Sequence, residues 1–212
     1  MADLVVFDLD GTLIDARRNL QAAVQYLRGT MNVEPLQPGC DASFSGNGLN
    51  SPLRRAIADA EVDEKTALTR MKKFYTGNLQ QTIRLYPGVE AGLKELHSRH
   101  IKLAVWSNKP VKAVNVMLEK LQISRYFCDI IGGDGDTPMK PAPDALLALQ
   151  KKYALPAAGC WMAGDSLADM QAGKAAGFRR IFMAYGQNVL DEDQADYTAS
   201  SFTEFLNVIR GF

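Results

Sequence analysis

Three short polar clusters hold the residues of this sequence that could do chemistry. They are Asp8-Leu9-Asp10-Gly11-Thr12, Ser107-Asn108 and Gly164-Asp165-Ser166-Leu167-Ala168-Asp169. Each cluster comes directly after a short apolar run of the kind that forms a buried parallel strand. Lys140 precedes a predicted helix in the same half of the chain. Because the carboxyl ends of parallel strands meet at one edge of a sheet, we expect these side chains to share a small space.

Several carboxylates beside one lysine predict a bound metal ion. The candidate ligands are Asp8, Asp10, Asp165 and Asp169. Carboxylates this close raise one another's pKa unless a cation neutralises them. Oxygen ligands favour a hard ion, so the sequence predicts Mg²⁺ as the cofactor rather than Zn²⁺. Such a site suits phosphoryl transfer to a carboxylate, with Lys140 and nearby donors stabilising the phosphoryl oxygens.

The spacing inside the first cluster fits this chemistry. Asp8 and Asp10 are two residues apart just beyond a strand, so strand periodicity points both to the same side. One carboxylate can then attack while the other handles protons. Gly11 lets the backbone approach an anion closely, and Thr12 adds a hydroxyl donor. Taken singly, each residue is more often part of an ordinary turn, and it is the joint occurrence after predicted strands that indicates catalysis.

The last cluster brings two further carboxylates to one place. A helix that begins at about Ser166 places Asp169 one turn in, facing back toward Asp165. Ser166 can cap that helix, and Gly177 can end it. Asp165 and Asp169 can therefore serve the same ion.

Strands and helices alternate through most of the chain. Apolar runs predict strands at 4–7, 101–106, 129–132, 159–163 and 180–184. Helical spacing predicts helices that begin at Pro110, at Pro143 and near Ser166, and a last one over 202–209. This alternation predicts an α/β fold with a doubly wound, Rossmann-like parallel sheet.

The segment 15–82 interrupts the alternation. It carries two strong helical patterns, at 16–31 and 63–81, and shows no clear strand. We therefore predict an inserted all-helical cap domain over 15–82 and a catalytic core domain made of 1–14 plus 83–212.

The composition limits the partners that we expect. The 212 residues contain 24 Lys plus Arg and 24 Asp plus Glu, so the net charge does not suggest nucleic acid. No apolar run reaches the roughly 18 residues of a membrane span, and the start lacks the basic residues of a signal peptide. The three cysteines are widely spaced, which fits packing in a reducing compartment. We expect a cytoplasmic monomer or homodimer that acts on a small phosphorylated metabolite and binds no nucleic acid or membrane.

The clusters resemble the four motifs of the haloacid dehalogenase superfamily of phosphohydrolases, and the match extends from Val5 to about Ala184. The resemblance implies that Asp8 is the nucleophile and forms an aspartyl phosphate. It implies that Asp10 protonates the leaving oxygen and then activates water. The dehalogenase and phosphonatase branches lack an acid at the position of Asp10, so the carboxylate at this position disfavours both branches.

The same resemblance implies the ligands of the phosphoryl group and of the ion. The residues implied to bind the phosphoryl group are Gly11 through its amide, Ser107, Asn108 and Lys140, with Thr12 beside them. The implied ligands of Mg²⁺ are Asp8, the backbone carbonyl of Asp10 and Asp165, with Asp169 as a ligand through water or as an outer partner.

The helical insertion resembles the cap of the phosphoglycolate phosphatase and β-phosphoglucomutase branch. The turn at Asn47-Gly48 and the Arg55 that follows are similar to the cap loop of bacterial phosphoglycolate phosphatases. Leu49 stands where mutases usually carry arginine, which disfavours a mutase. Arg54 or Arg55 can pair with a substrate carboxylate, which suits 2-phosphoglycolate, although both also fit a solvated helix surface.

Other substrates and a second class of function stay open at this point. Ala142 stands where phosphoglycolate phosphatases often have histidine. The alternatives are a mutase, a phosphatase of sugar phosphates, nucleotides or pyrophosphate, and a non-catalytic phosphate-binding regulatory protein. A regulatory protein would be expected to have lost Asp8 or Asp10, and this sequence keeps both.

Overall fold

The computed structural model describes residues 2–15, 17–37, 50–190 and 194–212. The chain divides into two compact units. The core unit consists of Met1–Asp15 and Arg84–Phe212, and the helical unit consists of Ala16–Ile83. The boundaries predicted from the sequence lie one residue away from these.

The core unit contains a six-stranded sheet. Its strands are β1 Leu4–Phe7, β4 Lys102–Trp106, β5 Asp129–Ile131, β6 Cys160–Gly164, β7 Arg179–Met183 and β8 Tyr197–Ala199, in the order β5-β4-β1-β6-β7-β8. All neighbouring strands are parallel. Two short strands, β2 Ile14–Asp15 and β3 Arg84–Leu85, form a separate antiparallel pair. The predicted doubly wound parallel sheet is confirmed.

The helical unit contains three helices among its described residues, namely α1 Arg17–Thr30, α2 Asn50–Ala56 and α3 Glu64–Thr82. Asp63 caps α3 through a hydrogen bond from the Thr66 amide. The buried Arg28 guanidinium donates to the Ala56 carbonyl and lies 2.8 Å from Asp59. This charged residue therefore joins α1 to the end of α2.

The described residues of the core unit form five α-helices beside the sheet. They are α4 Val89–Ser98, α5 Val111–Lys120, α6 Asp144–Tyr153, α7 Leu167–Ala176 and α8 Phe202–Arg210. Ser166 caps α7, and Gly177 ends it with a left-handed backbone, as the sequence predicts. The positive φ of 71° at Gly177 explains the residue type, because a side chain would be strained there.

The central position of β1 follows from its apolar sequence. All four of its residues are buried, as expected for a strand covered on both faces. Leu4 and Val6 belong to a core that contains residues of α6 and α7. On the other face, Phe7 packs against Phe202 and Phe205 of α8. Burial of these apolar side chains stabilises the sheet that carries the polar clusters.

The sequence pattern missed β2, β3 and β8. The first two have only two residues each, which is too short for strand periodicity to be visible. Strand β8 has three residues at the edge of the sheet, and two of them are not buried. Such a strand has no apolar run to mark it.

Two of the three cysteines lie among the described residues, and both are free thiols. Burial, with Asp3 nearby, raises the pKa of Cys160 to about 11, which makes its thiol unreactive near neutral pH. Cys40 lies outside the described residues. None of the helices in the described part of the chain is long and apolar enough to cross a membrane.

Candidate active site

Three adjacent strands bring the polar clusters together at one edge of the sheet. Asp8 follows β1, Ser107 follows β4 and Asp165 follows β6. Because β4 and β6 are the two neighbours of β1 in the sheet, their carboxyl ends lie side by side. Asp8, Ser107 and Asp165 are all buried. The structure thus juxtaposes the three clusters as the sequence predicts.

An acidic cluster lies at this edge and is formed by Asp8, Asp165 and Asp169. One carboxylate oxygen from each lies within 4.8 Å of the others, and all three residues are buried. The Lys140 ammonium lies 2.6 Å from Asp8 Oδ1 and 2.7 Å from Asp169 Oδ1. Lys140 is buried as well. The carboxylates and the lysine therefore lie close to one another, as expected.

Burial makes the charges of this cluster costly. Burial raises the pKa of Asp8 to about 7, against the opposing effect of Lys140 and with a further increase from the Asp169 charge. Burial, with the charges of Asp8 and Asp169, also raises the pKa of Asp165 well above its usual range. Burial lowers the pKa of Lys140, but Asp169 and Asp8 raise it more, so the lysine stays protonated.

A divalent cation fits the residues of the cluster. The cluster holds three carboxylates, and the Lys140 ammonium pairs with Asp8 and Asp169, which leaves two formal negative charges when all four groups are ionised. Burial and the neighbouring carboxylates raise the pKa of Asp8 and of Asp165, so a bound cation would favour the ionised form of both groups. All the donors are oxygens, which favours Mg²⁺ over softer ions.

Asp10 lies apart from the acidic cluster and pairs with a different lysine. Its Oδ2 lies 3.0 Å from Lys109 Nζ. Its Oδ1 is buried and has no hydrogen-bond partner among the described residues. The side chain of Asp10 is thus held at one oxygen and leaves the other for a proton. Sequence reasoning missed Lys109, although a cation in the turn after β4 is a signal that could have been used.

Asn108 fixes the backbone at Lys140. Its Oδ1 accepts the Lys140 amide at 3.0 Å, and its Nδ2 donates to the Lys140 carbonyl at 3.3 Å. The Lys140 ammonium also donates to the Trp106 carbonyl at 2.9 Å. The Asn108 side chain therefore positions the backbone of Lys140. The second N–H of its side-chain amide remains available to an anion.

The predicted phosphate-binding donors differ in what they already contact. Thr12 Oγ1 is buried and has no hydrogen-bond partner within the part of the chain that the structure describes. Ser107 Oγ accepts the Lys109 amide at 3.3 Å. The Gly11 amide donates to the Ile14 carbonyl at 2.9 Å, so this donor belongs to the turn rather than to an anion.

Gly11 has a second role that depends on its missing side chain. Its φ is 83°, and a Cβ there would lie 2.1 Å from Asp165 Oδ2. A similar close approach occurs at Gly164, where a Cβ would lie 2.3 Å from Asp169 Cγ. These two glycines let the carboxylates pack against backbone.

Two residues after β7 contact the site and were missed by sequence reasoning. The Gln187 amide donates to Asp165 Oδ2 at 2.7 Å, and Asn188 Nδ2 donates to the same oxygen at 3.1 Å. They follow the carboxyl end of a parallel strand, so the rule that found the other clusters could have found them.

The substrate residues proposed in the helical unit are described only in part. Asn47 and Gly48 lie outside the described residues. Arg54 is exposed, and its Nε lies 3.7 Å from Glu64 Oε1. Arg55, next to it on α2, is exposed as well. The roles of these four residues stay predictions.

Comparison with known proteins identifies the family. The profile of haloacid dehalogenase-like hydrolases matches residues 5–183. The phosphoglycolate phosphatase of Pseudomonas fluorescens (strain Pf-5) is 36% identical over 192 residues, which cover 87% of this chain and 70% of that protein. The phosphoglycolate phosphatase of Aliivibrio fischeri is 34% identical and covers 97% of this chain and 96% of its own. A crystal structure from Haemophilus somnus, described as a predicted phosphoglycolate phosphatase, has a TM-score of 0.88 at 27% identity and covers 98% of both chains. The chain therefore belongs to the haloacid dehalogenase-like hydrolase family, within which it is similar to phosphoglycolate phosphatases.

Proposed function

We propose that this phosphoric monoester hydrolase cleaves a small phosphate monoester through a phosphorylated Asp8, with Mg²⁺ bound at the acidic cluster. The observation that carries the proposal is the buried contact of Asp8 with the Lys140 ammonium, beside Asp165 and Asp169. Three buried carboxylates around one ammonium are costly for stability, because charges lose solvation on burial. Their presence therefore points to a function that needs them.

The first half of the reaction is the attack of Asp8 on the substrate. A carboxylate oxygen of Asp8 forms a bond to phosphorus, and the bond from phosphorus to the ester oxygen breaks. The leaving oxygen takes a proton from Asp10, whose Oδ1 is the oxygen without a protein partner among the described residues. Lys140 offers positive charge next to Asp8, where charge develops on the phosphoryl oxygens.

The second half returns the enzyme to its starting state. A water molecule attacks phosphorus and gives its proton to Asp10. The bond between Asp8 and phosphorus then breaks, which releases inorganic phosphate and restores both carboxyl groups. The contact of Lys109 Nζ with Asp10 Oδ2 at 3.0 Å holds the Asp10 side chain in place whether its carboxyl group is neutral or ionised.

The cation would be held by Asp8 and Asp165, with the Asp10 carbonyl as a third protein ligand and Asp169 near it. Bound Mg²⁺ supplies positive charge that stabilises the phosphoryl oxygens and offsets the repulsion between the carboxylates. The buried hydroxyl of Thr12 and the remaining N–H of Asn108 are the further donors available to the phosphoryl group.

2-Phosphoglycolate is the substrate that we propose. Support comes from the relatives, which are named phosphoglycolate phosphatases.

Phosphate release from a panel of esters tests this proposal. The panel contains 2-phosphoglycolate, glucose phosphates, nucleotides and pyrophosphate, each measured with Mg²⁺ and with EDTA. We expect release that requires Mg²⁺ and a kcat/KM that is highest for 2-phosphoglycolate. A higher kcat/KM for another ester would show that 2-phosphoglycolate is not the preferred substrate, while the proposed reaction would still hold. No release from any ester would contradict the proposed function.

A further inference from the structure

The loop after β7, defined here as residues 185–188, connects two parts of the candidate active site. At one end, the Tyr185 hydroxyl donates to the Thr12 carbonyl at 2.6 Å, next to the turn that follows Asp8. The Tyr185 ring also packs edge-on against Tyr86, with a centroid distance of 4.7 Å. At the other end, Gln187 and Asn188 contact Asp165. The loop therefore links the turn after β1 to the carboxylate after β6.

Gly186 shows how closely this loop packs on Asp165. A Cβ at Gly186 would lie 2.4 Å from Asp165 Cβ and 2.5 Å from the Gly11 carbonyl oxygen. No side chain fits at those distances. The Asp165 side chain therefore packs closely against the backbones of both Gly11 and Gly186.

Both hydrogen bonds from the loop go to the same oxygen of Asp165. The Gln187 amide donates to Oδ2 at 2.7 Å, and the Asn188 side chain donates to Oδ2 at 3.1 Å. Neither uses Oδ1. A carboxylate with one oxygen fixed by two donors has its orientation set, and its other oxygen then points in a defined direction.

We propose that Asn188 is a positioning residue for the cation site, which acts by fixing Asp165 Oδ2 so that Asp165 presents its other oxygen to the ion. The proposal rests on the proposed function in one respect, namely that Asp165 ligates Mg²⁺. Hydrogen bonds to a ligating carboxylate set its orientation, and their loss typically weakens metal affinity by about 10- to 100-fold. In this proposal Asn188 acts only through its hydrogen bond to Asp165.

Calorimetric titration of the whole chain with Mg²⁺, after treatment with chelator, tests the proposal. The variants are Asn188→Ala, which removes the donor, and Asn188→Leu, which removes it and keeps nearly the same shape. We expect both to raise the Kd for Mg²⁺ by about 10-fold. The matched control is Asn207→Ala, because Asn207 lies on α8 and its amide oxygen accepts from Arg210. The control should leave the Kd unchanged.

Steady-state kinetics separate positioning from general damage. In both Asn188 variants, the Mg²⁺ concentration that gives half the maximal rate should rise by about the same factor as the Kd, while kcat at saturating Mg²⁺ stays within about twofold of the wild type. A variant that is merely less well folded would instead lose kcat at all Mg²⁺ concentrations.

Two results would overturn different statements. If the wild-type chain binds Mg²⁺ and either Asn188 variant binds it with the wild-type Kd, the positioning role is wrong and the proposed function stands. If the wild-type chain shows neither Mg²⁺ binding nor Mg²⁺-dependent phosphate release, the proposed function fails first, and the positioning role fails with it.

Discussion

Lys140 is the residue on which the charge balance of the site depends. Its ammonium lies 2.6 Å from Asp8 and 2.7 Å from Asp169, and only 3% of its side chain is exposed. Removal of one partner from a buried group of charges leaves the others without compensation. Lys140 therefore stabilises the fold in addition to its proposed contact with the phosphoryl group.

The substitution Lys140→Met tests this double role. We expect the free energy of unfolding, measured in EDTA by urea titration, to fall by about 3 kcal/mol, because three carboxylates then face no ammonium. We also expect kcat for phosphate release to fall by at least about 100-fold.

Lys152→Met is the matched control for that experiment. Lys152 pairs with Asp129, but 53% of its side chain is exposed, so its loss should cost no more than about 1 kcal/mol. Equal losses of stability in the two variants would contradict the role given to burial at Lys140.

At the level of single residues, the sequence predicts the site residues that belong to a motif. It misses the residues that lie outside the motifs and reach the acidic cluster only through the fold. Asp8, Lys140, Asp165 and Asp169 were predicted to meet, and they do. The contact of Asn188 with Asp165 spans 23 positions and depends on the exact path of the loop after β7. The rule that polar residues after parallel strands share one edge of the sheet could have placed Asn188 near the site, but it does not specify the path of the loop.

Helix α7 joins local structure to the site through its first turn. Ser166 and Asp169 form a capping box, in which the Ser166 hydroxyl and amide both donate to Asp169 Oδ2. The other oxygen of Asp169 faces Lys140. The same residue therefore begins the helix and completes the acidic cluster.

A pair of serine substitutions separates these two effects. Ser166 and Ser201 cap α7 and α8 respectively, so Ser166→Ala and Ser201→Ala should each lower the free energy of unfolding by about 1 kcal/mol. Only Ser166→Ala should raise the Mg²⁺ concentration that gives half the maximal rate, by about 10-fold, because of the two serines only Ser166 contacts a carboxylate of the cluster. The measurements are urea unfolding and the rate as a function of Mg²⁺ concentration.

Equal effects of the two serine substitutions on the Mg²⁺ dependence would contradict this separation. If both serine variants shifted the Mg²⁺ dependence equally, the effect would follow from stability alone, and the contact between Ser166 and Asp169 would have no separate role.

At the scale of elements, long buried strands and capped helices were predictable. Strands β1 and β6 are fully buried and β4 is buried except at Lys102, and all three lie within one residue of their predicted bounds. Strands β2 and β3 pair over two residues each through backbone hydrogen bonds, which carry no side-chain pattern. The predictable elements are the three that position the acidic cluster.

The whole molecule consists of a core unit that contains every residue of the acidic cluster and a helical unit inserted between β2 and β3 in the sequence. The alternation of strands and helices that predicts the sheet also marks the insertion, because the stretch from about residue 15 to residue 82 interrupts it with helical patterns. The identity of the substrate was less predictable, since it depends on residues outside the motifs. The role of the helical unit as a cap over the substrate stays a prediction.

The proposed reaction of the whole enzyme depends on Asp8 as the nucleophile, and Asp8→Asn tests this role most directly. The matched control is Asp136→Asn, which makes the same change at an exposed carboxylate. The measurement is the initial rate of phosphate release from 2-phosphoglycolate in saturating Mg²⁺, with circular dichroism to verify the fold. We predict that Asp8→Asn keeps the fold, because the amide has nearly the same shape, and lowers the rate by at least about 1,000-fold, while Asp136→Asn keeps the wild-type rate. A folded Asp8→Asn variant that releases phosphate at the wild-type rate would contradict this role.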